Sequence, residues 1–287
     1  MSAVNLKNCT EELLKFTLQS CVNETLEFDI GLSNDFCAHL LKPDPFPSAQ
    51  SHENADSLKG VPPYPLYRRL AFALLQSVIS GNFSRTYNQM PMIGVESSLN
   101  QKEQAWQQLI SEKGSEIVNI LKTLDFELHV QDPFFSQLKD GLKRIEGRCA
   151  SGKYSRIQSG SSILFNECLV FEVQDVRRYA SFSDMLEAEG LAEVLPGVKS
   201  IKEGVQIYRK FCTEEKEKTS GVLAICVSKV APQPYFYLAS ILFYLSYGGV
   251  QGLLGLTNTK GTIERALPPS RSSLLSSFLL PYRINVR

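Results

Sequence analysis

The sequence predicts an α+β fold with three parts: an N-terminal α-helical module, a strand-rich domain and an apolar C-terminal extension. Three observations support this prediction. Apolar residues recur at helical spacing in the first third of the chain, for example at Leu14 and Leu18. The middle of the chain has short alternating stretches separated by turn residues. From Val230 to Thr259 no residue is charged. We therefore expect the parts to span residues 1–121, 122–232 and 233–287.

The N-terminal module contains helix-start signals and helical periodicity. Thr10 precedes two glutamates and can act as an N-cap, and Ser33 can cap a second helix that ends near Leu41. Apolar spacing predicts a third helix over residues 66–79 and a further helix or helix pair over 101–124, interrupted at Gly114. Six prolines and many polar residues between positions 43 and 65 predict an irregular connection.

The strand-rich domain begins with an alternating stretch, residues 125–130, which is typical of a half-buried strand. Asp132 and Pro133 then form a helix-start signal, and Gly141 is suited to end that short helix. Residues 143–148 are expected to begin a second strand. On a strand, Glu146 and Arg148 project from the same face.

Charge is balanced over the whole chain but not locally. The sequence has 30 Lys+Arg and 30 Asp+Glu, so it has no global nucleic-acid signature. Residues 139–156, however, contain several cations with only Asp140 and Glu146 as acids, and a local patch of this kind attracts phosphate even on a neutral protein. The cations are Lys139, Lys143, Arg144, Arg148, Lys153 and Arg156.

Cysteine and histidine patterns indicate neither a disulfide framework nor a metal site. The seven cysteines are scattered without C-x-x-C spacing, and the three histidines share no ligand spacing. We therefore expect no metal and no cofactor. The N-terminus lacks a cationic stretch followed by an apolar run, which predicts a nuclear or cytoplasmic protein.

The uncharged segment is too interrupted for a membrane span. Its most apolar part, residues 235–245, is about half the length that a span requires and is followed by Ser246, Gly248 and Gly249. We expect a buried helix that packs on the rest of the chain, followed by a tail to Arg287, and no membrane partner. The acidic and basic run at residues 213–219 is expected to be a solvated loop.

The spacing of Gly141, Lys143, Glu146 and Arg148 resembles the G-x-K-x-x-E-x-R signature of the ASCH domain (activating signal cointegrator homology), a β-barrel of the PUA-like group. The following segments resemble the rest of that domain in the same order: residues 153–165, 169–173, 190–197, 207–211 and 221–227. The resemblance implies a barrel of five or six strands over about 122–232. The whole arrangement resembles uncharacterised ASCH proteins of land plants.

The resemblance implies binding of RNA or a modified nucleotide in a cleft lined by the signature, as in a coactivator or RNA-processing factor. Arginine and lysine can bind phosphate or base oxygens, a carboxylate can accept from a base amine, and tyrosine can stack on an unpaired base. The candidate ligand-binding residues are Lys143, Arg144, Glu146, Arg148, Lys153, Tyr154, Arg156 and Tyr208.

Two other functions remain open. Small bacterial ASCH proteins hydrolyse N4-acetylcytidine with a lysine, a threonine nucleophile and a glutamate. Lys143 matches the lysine, but Glu146 occupies the threonine position, so the hydroxyl nucleophile is missing and we lean against an enzyme. Lys143 and Glu146 would be the catalytic candidates, and Glu193 or Glu203 could take the role of the distal glutamate.

In the other function, the N-terminal helices bind a protein partner. A purely structural alternative to ligand binding is that Glu146 and Arg148 only pair with each other or with Lys143 to complete a barrel rim.

Overall fold

The computed structural model describes residues 5–43, 64–83, 97–256, 263 and 265–270. The chain divides into two compact units, which are treated separately. One comprises residues 6–118 with 235–287, and the other comprises residues 119–234 with Met1–Asn5. Most of the proline-rich connection and all of the tail after residue 270 lie outside the described residues.

Four helices precede the first strand, and the remaining described elements are five strands with helices between and after them. The helices are α1 Leu6–Val22, α2 Asn34–Leu41, α3 Leu66–Ser80, α4 Ser97–Lys122, α5 Phe134–Lys139, α6 Phe182–Glu189, α7 Leu191–Val194, α8 Ile201–Arg209, α9 Glu214–Ser220 and α10 Pro234–Leu254, with a 3₁₀ helix at Gly152–Arg156. The strands are β1 Phe126–Leu128, β2 Ile145–Cys149, β3 Ser162–Phe165, β4 Leu169–Tyr179 and β5 Val222–Lys229. The predicted order of a helical region, a sheet and a C-terminal helix is confirmed.

The helical unit is built on α1, which packs against α2 and α3. The predicted cap of α2 is confirmed, since the Ser33 side chain accepts a hydrogen bond from the Phe36 amide at 3.3 Å. α4 is continuous, so the predicted interruption at Gly114 is wrong. A Cβ at Gly114 would lie 2.2 Å from Val78 Cγ2, which shows that this glycine permits a close approach of α3 and α4.

The apolar segment forms α10, with a bend where Ser246 adopts a φ of 48°. Its aromatic residues pack within the helical unit: the rings of Phe16 and Tyr235 are 5.4 Å apart, and those of Phe36 and Tyr247 are 4.9 Å apart. Among the described residues, α10 is the one helix long and apolar enough to cross a bilayer, and more than half of its most apolar stretch is buried. A buried core helix has the same properties.

The second unit is a mixed five-stranded sheet in the order β1-β3-β4-β5-β2, curled into a half-barrel. β1 and β3 are parallel, and the other neighbouring pairs are antiparallel. β1 and β2 are therefore the two edges of the sheet. The predicted strand at residues 143–148 is confirmed as β2, which begins at Ile145.

The two faces of the half-barrel have different neighbours. Ile145, Val222 and Ala224 face a core formed with α6 and α8, where Phe182 and Met185 are buried. Because side chains alternate along a strand, Glu146 and Arg148 project from the other face of β2, together with Leu223 and Ile225 of β5. This second face is the concave side of the curled sheet. The alternation explains why two charged residues sit between positions that belong to the core.

The segment after α8 corrects the sequence-based expectation. Residues 213–219, predicted as a solvated loop, form most of α9, which is capped by Thr213. Glu217 is buried because its carboxylate accepts a hydrogen bond from the Phe182 amide at 2.6 Å and pairs with Arg209. A carboxylate buried in this way satisfies an orphan donor at the start of α6. Its position in a highly charged run concealed this role.

Replacing Glu217 by Ala is expected to lower the free energy of unfolding by about 3 kcal/mol, because Arg209 loses its partner and the Phe182 amide loses its acceptor. Urea denaturation of the full chain measures the change. The matched control is Glu214→Ala in the same helix, since Glu214 is exposed and its ion pair is with exposed Lys218. Equal midpoints for the two variants would contradict a structural role for Glu217.

Candidate functional site

The centre of the site is a buried network of three charged side chains. Lys143 Nζ lies 3.1 Å from Glu146 Oε2, and Arg148 Nε lies 2.8 Å from Glu146 Oε1. The side chains of Lys143 and Glu146 are only 1% and 7% exposed, and that of Arg148 is 18% exposed. One carboxylate therefore holds two cations, one on each oxygen.

Lys143 has acceptors for all three of its ammonium protons. Besides Glu146, Nζ donates to the carbonyl of Ile145 at 2.6 Å and to the carbonyl of Val194 in α7. Burial lowers the pKa of Lys143, and the neighbouring carboxylate opposes that shift. This lysine thus ties β2 to α7 and has no proton left to donate to a ligand.

Arg148 connects the two edges of the half-barrel. Its Nη2 donates to the carbonyl of His129, which follows β1, at 2.5 Å, while Nε faces Glu146 on β2. β1 and β2 are the edge strands of the sheet, and the Arg148 side chain links the segment after β1 to β2. The G-x-K-x-x-E-x-R residues therefore help to hold the two edges of the half-barrel together.

The candidate catalytic pair, Lys143 and Glu146, is consequently engaged within this network. Both oxygens of Glu146 face cations, and the ammonium of Lys143 faces a carboxylate and two carbonyls. A general base needs a lone pair directed at a substrate or a water. No oxygen of Glu146 is directed at an open cleft in this arrangement.

A cationic and aromatic surface begins where Arg148 reaches solvent. The guanidinium carbon of Arg148 lies 5.8 Å from the centroid of the Tyr154 ring, and Lys153 Nζ lies 5.6 Å from the same centroid. Both distances are within the range of cation–π attraction. Arg156 is exposed at the end of the same 3₁₀ helix.

Arg178 joins this surface from β4. In the sheet register Leu223 stands opposite Arg148 on one side and opposite Arg178 on the other, so both arginines project from one face. Arg178 Nη2 also donates to the Ser155 carbonyl at 3.1 Å. We call the set of Arg148, Lys153, Tyr154, Arg156 and Arg178 the basic rim.

Sequence reasoning missed Arg178 because a β-bulge lies between Val173 and Asp175. The extra residue reverses the alternation along β4. Counting from Val173 without the bulge would place Arg177 on the inner face, and the bulge places Arg178 there instead. A signal was present in the sequence, since two consecutive polar residues, Gln174 and Asp175, interrupt the alternation between Val173 and Val176.

The other end of β2 faces a second concave region of about 350 Å³. Lys143 contributes to its inner wall, and Arg144 lies at its edge with a side chain that is 69% exposed. We call this region the basic cleft. The complete lining is Leu138, Lys139, Asp140, Gly141, Lys143, Arg144, Phe171, Val227, Ser228 and Lys229. The structure thus divides the six predicted cations between two ends of one strand.

Tyr208 belongs to neither surface, which corrects its place among the predicted ligand-binding residues. Its ring stacks on Phe182 with centroids 4.3 Å apart and an interplanar angle of 7°, in the core under β2. Burial raises the pKa of the Tyr208 hydroxyl, and a Cβ at Gly147 would lie 2.5 Å from its oxygen. The residue is packed against the strand backbone because α8 presents the ring to the core.

Glu146→Ala is expected to lower the free energy of unfolding by about 3–5 kcal/mol, because buried Lys143 and Arg148 both lose their counter-ion. Chemical denaturation gives this value. The control is the double variant Lys143→Met with Glu146→Leu, which replaces the pair by apolar side chains of similar volume. It should recover part of the loss, because Lys143 no longer leaves a buried charge while Arg148 still lacks its carboxylate. A single Glu146→Ala variant as stable as the wild type would contradict a structural network.

Comparisons with known proteins match part of the chain to one family and to two solved structures. The profile of the ASCH domain family matches residues 128–231. The chain is similar to the crystal structure of hypothetical protein PH0355, with 44% identity over 37% of this chain and 98% of that chain, at a TM-score of 0.36. It is also similar to the solution NMR structure of protein PF0455 from Pyrococcus furiosus, with 46% identity over 37% and 97% and a TM-score of 0.34. No curated protein matches the chain.

The match of the family profile to residues 128–231 confirms the resemblance stated from the signature, and the chain belongs to the ASCH domain family.

Proposed function

We propose that the protein binds single-stranded RNA, or a modified nucleotide within it, at the basic rim. The observation that carries the proposal is the meeting of Arg148 and Arg178 on either side of Leu223, beside Tyr154. Two guanidinium groups on one face can bind neighbouring phosphates, each by a forked pair of hydrogen bonds. The tyrosine between the cations offers an aromatic face for one base.

The buried carboxylate has an indirect role in this proposal. The Glu146 carboxylate attracts the Arg148 guanidinium as an ion pair, although Nε lacks hydrogen-bond geometry, and the His129 carbonyl accepts a hydrogen bond from Nη2. These two contacts restrict the guanidinium before a ligand arrives. Preorganisation of this kind reduces the ordering cost of binding. Glu146 is therefore a positioning residue in the proposed site and does not contact the base.

Lys153 and Arg156 supply the less constrained charges of the rim. Lys153 Nζ makes a long contact of 3.3 Å with the Glu127 carbonyl, and both side chains are exposed. Exposed cations of this type attract phosphate without selecting a base. They are suited to give the salt-dependent part of the affinity, while Tyr154 and Arg148 position the strand.

The wider role that we propose is that of an RNA-processing factor or transcription coactivator in the nucleus or cytoplasm. In this role the helical unit binds a protein partner. Phe72 and Ile79 support partner binding by the helical unit, since they are seven residues apart on α3, share one side of that helix and are 44% and 64% exposed. An N4-acetylcytidine hydrolase finds no such support, because Lys143 and Glu146 hold each other.

The double variant Lys153→Ala with Arg156→Ala is expected to weaken binding of a fluorescent eight-nucleotide single-stranded RNA about tenfold or more. It should also flatten the slope of log affinity against log salt by about 0.7 per lost phosphate contact. Fluorescence anisotropy over a salt series measures both quantities. The matched control, Lys199→Ala with Lys202→Ala, removes two exposed lysines near the start of α8.

Tyr154→Leu separates stacking from charge in the same assay. Loss of the ring should weaken binding by about 1–3 kcal/mol and leave the salt slope unchanged, because no phosphate contact is removed. Equal weakening by the control pair and by the rim pair, or no measurable binding at low salt, would overturn the proposal. Arg148 is left intact in these variants because it also joins β1 to β2.

A further inference from the structure

We infer that Cys21 and Cys37 form a redox-active thiol pair, which a small disulfide such as glutathione disulfide converts to a reversible crosslink between α1 and α2. The pair lies in the helical unit, outside the residues that match the ASCH domain. The inference therefore does not depend on RNA binding at the basic rim.

The two sulfur atoms are already in contact. Cys37 Sγ lies 3.7 Å from Cys21 Sγ, and the Cys37 thiol donates a hydrogen bond to the Cys21 sulfur. A disulfide places the two sulfur atoms at about 2 Å, so each sulfur has to move by only about 1 Å. A movement of this size is within the reach of side-chain rotation and a small shift of one helix.

Helix packing holds the two thiols together. Cys21 follows Leu14 and Leu18 at helical spacing, so it lies at the end of the buried stripe of α1. Cys37 is 0% exposed and lies on the buried side of α2, which packs on α1. The contact therefore belongs to a packed helix pair, which keeps the two thiols adjacent in the reduced protein.

The two thiols differ in their access to an oxidant. Cys21 is half-buried near the C-terminal end of α1, and its thiol donates to Asn34 Oδ1 at 3.5 Å in an exposed contact. Cys37 has no exposed surface, so an oxidant reaches it through the Cys21 sulfur. Cys21 is therefore the attacking thiol, and Cys37 is the resolving thiol.

The exchange consists of two steps that balance. The Cys21 thiolate attacks one sulfur of glutathione disulfide, whose S–S bond breaks, and the first glutathione leaves as a thiolate. The Cys37 thiolate then attacks the Cys21 sulfur of the mixed disulfide and displaces the second glutathione. Two electrons pass from the protein to the small disulfide, and the two thiol protons end on the two released glutathione molecules. Excess reduced glutathione reverses both steps.

Both thiols are held mainly in their protonated form. Burial raises the pKa of each thiol, and the charge of Asp29 adds to the shift at Cys21, while the hydrogen bond from Cys37 opposes it. We therefore expect the crosslink to form over hours at neutral pH. In a reducing compartment, where lasting disulfides are rare, the pair is crosslinked only when the ratio of glutathione disulfide to glutathione rises.

Incubation of the reduced full chain in a series of glutathione redox buffers, followed by peptide mapping without reductant, tests the inference. We expect two peptides joined through Cys21 and Cys37, with the loss of two hydrogens and full reversal by dithiothreitol. The crosslink should also raise the midpoint of thermal unfolding by about 5 °C or more, because joining residues sixteen positions apart restricts the unfolded chain.

Three variants make the test specific. Cys37→Ala should stop the exchange after its first step, so that Cys21 keeps one glutathione. Cys21→Ala should leave Cys37 unmodified in the folded protein, because no surface of Cys37 is exposed. The matched control is Cys226→Ala, which removes a half-buried thiol of β5 and should form the crosslink as fully as the wild type.

Three outcomes would overturn the inference. The first is the absence of a crosslink between Cys21 and Cys37 at the most oxidising ratio, including the case in which only Cys149 and Cys212 are joined. The second is a crosslink that forms only in urea, since the folded helix pair would then not create it. The third is glutathione on Cys37 in the folded Cys21→Ala protein, since Cys37 would then be open to the oxidant directly.

Discussion

The fold of the ASCH domain depends on one buried carboxylate with a cation on each oxygen. Through Lys143, Glu146 is connected to α7, and through Arg148 it is connected to the segment after β1. Neither cation could be buried alone, because desolvation of an unpaired charge costs several kcal/mol. The three side chains are therefore interdependent, and together they hold the open edges of a five-stranded sheet in place.

This dependence explains the division of the positive charge. β2 carries Glu146 and Arg148 on one face, and its two ends lie at opposite ends of the half-barrel. Lys139 and Arg144 therefore accompany its start, and Lys153 and Arg156 accompany its end. Each group gains a cation from another strand of the sheet: Lys229 from β5, which neighbours β2, and Arg178 from β4, the next strand along. The site is best understood as two surfaces separated by a structural network.

The sequence predicted the parts of this arrangement that are governed by local chemistry. Ser33 caps its helix, Gly141 adopts a positive φ, and the strand begins where the signature indicates. It did not predict the features that long-range packing determines. Tyr208 was predicted to stack on an unpaired base, but α8 turns it into the core. Arg178 lies beyond a bulge that reverses the alternation of β4, and the role of Glu217 was concealed by its charged neighbours. Burial of a charged side chain depends on partners far along the chain, and one sequence does not reveal them.

The most direct test of the account is an NMR titration of the labelled full chain with single-stranded RNA that resolves the Lys143 ammonium and the arginine Nε signals. The ammonium should be observable without ligand, since burial and three acceptors slow its exchange with water. The account predicts that RNA shifts the signals of Arg178 and Tyr154 and leaves the Lys143 ammonium in place. A large shift of that ammonium without change at the rim would show that ligand enters the network, and would contradict its structural role.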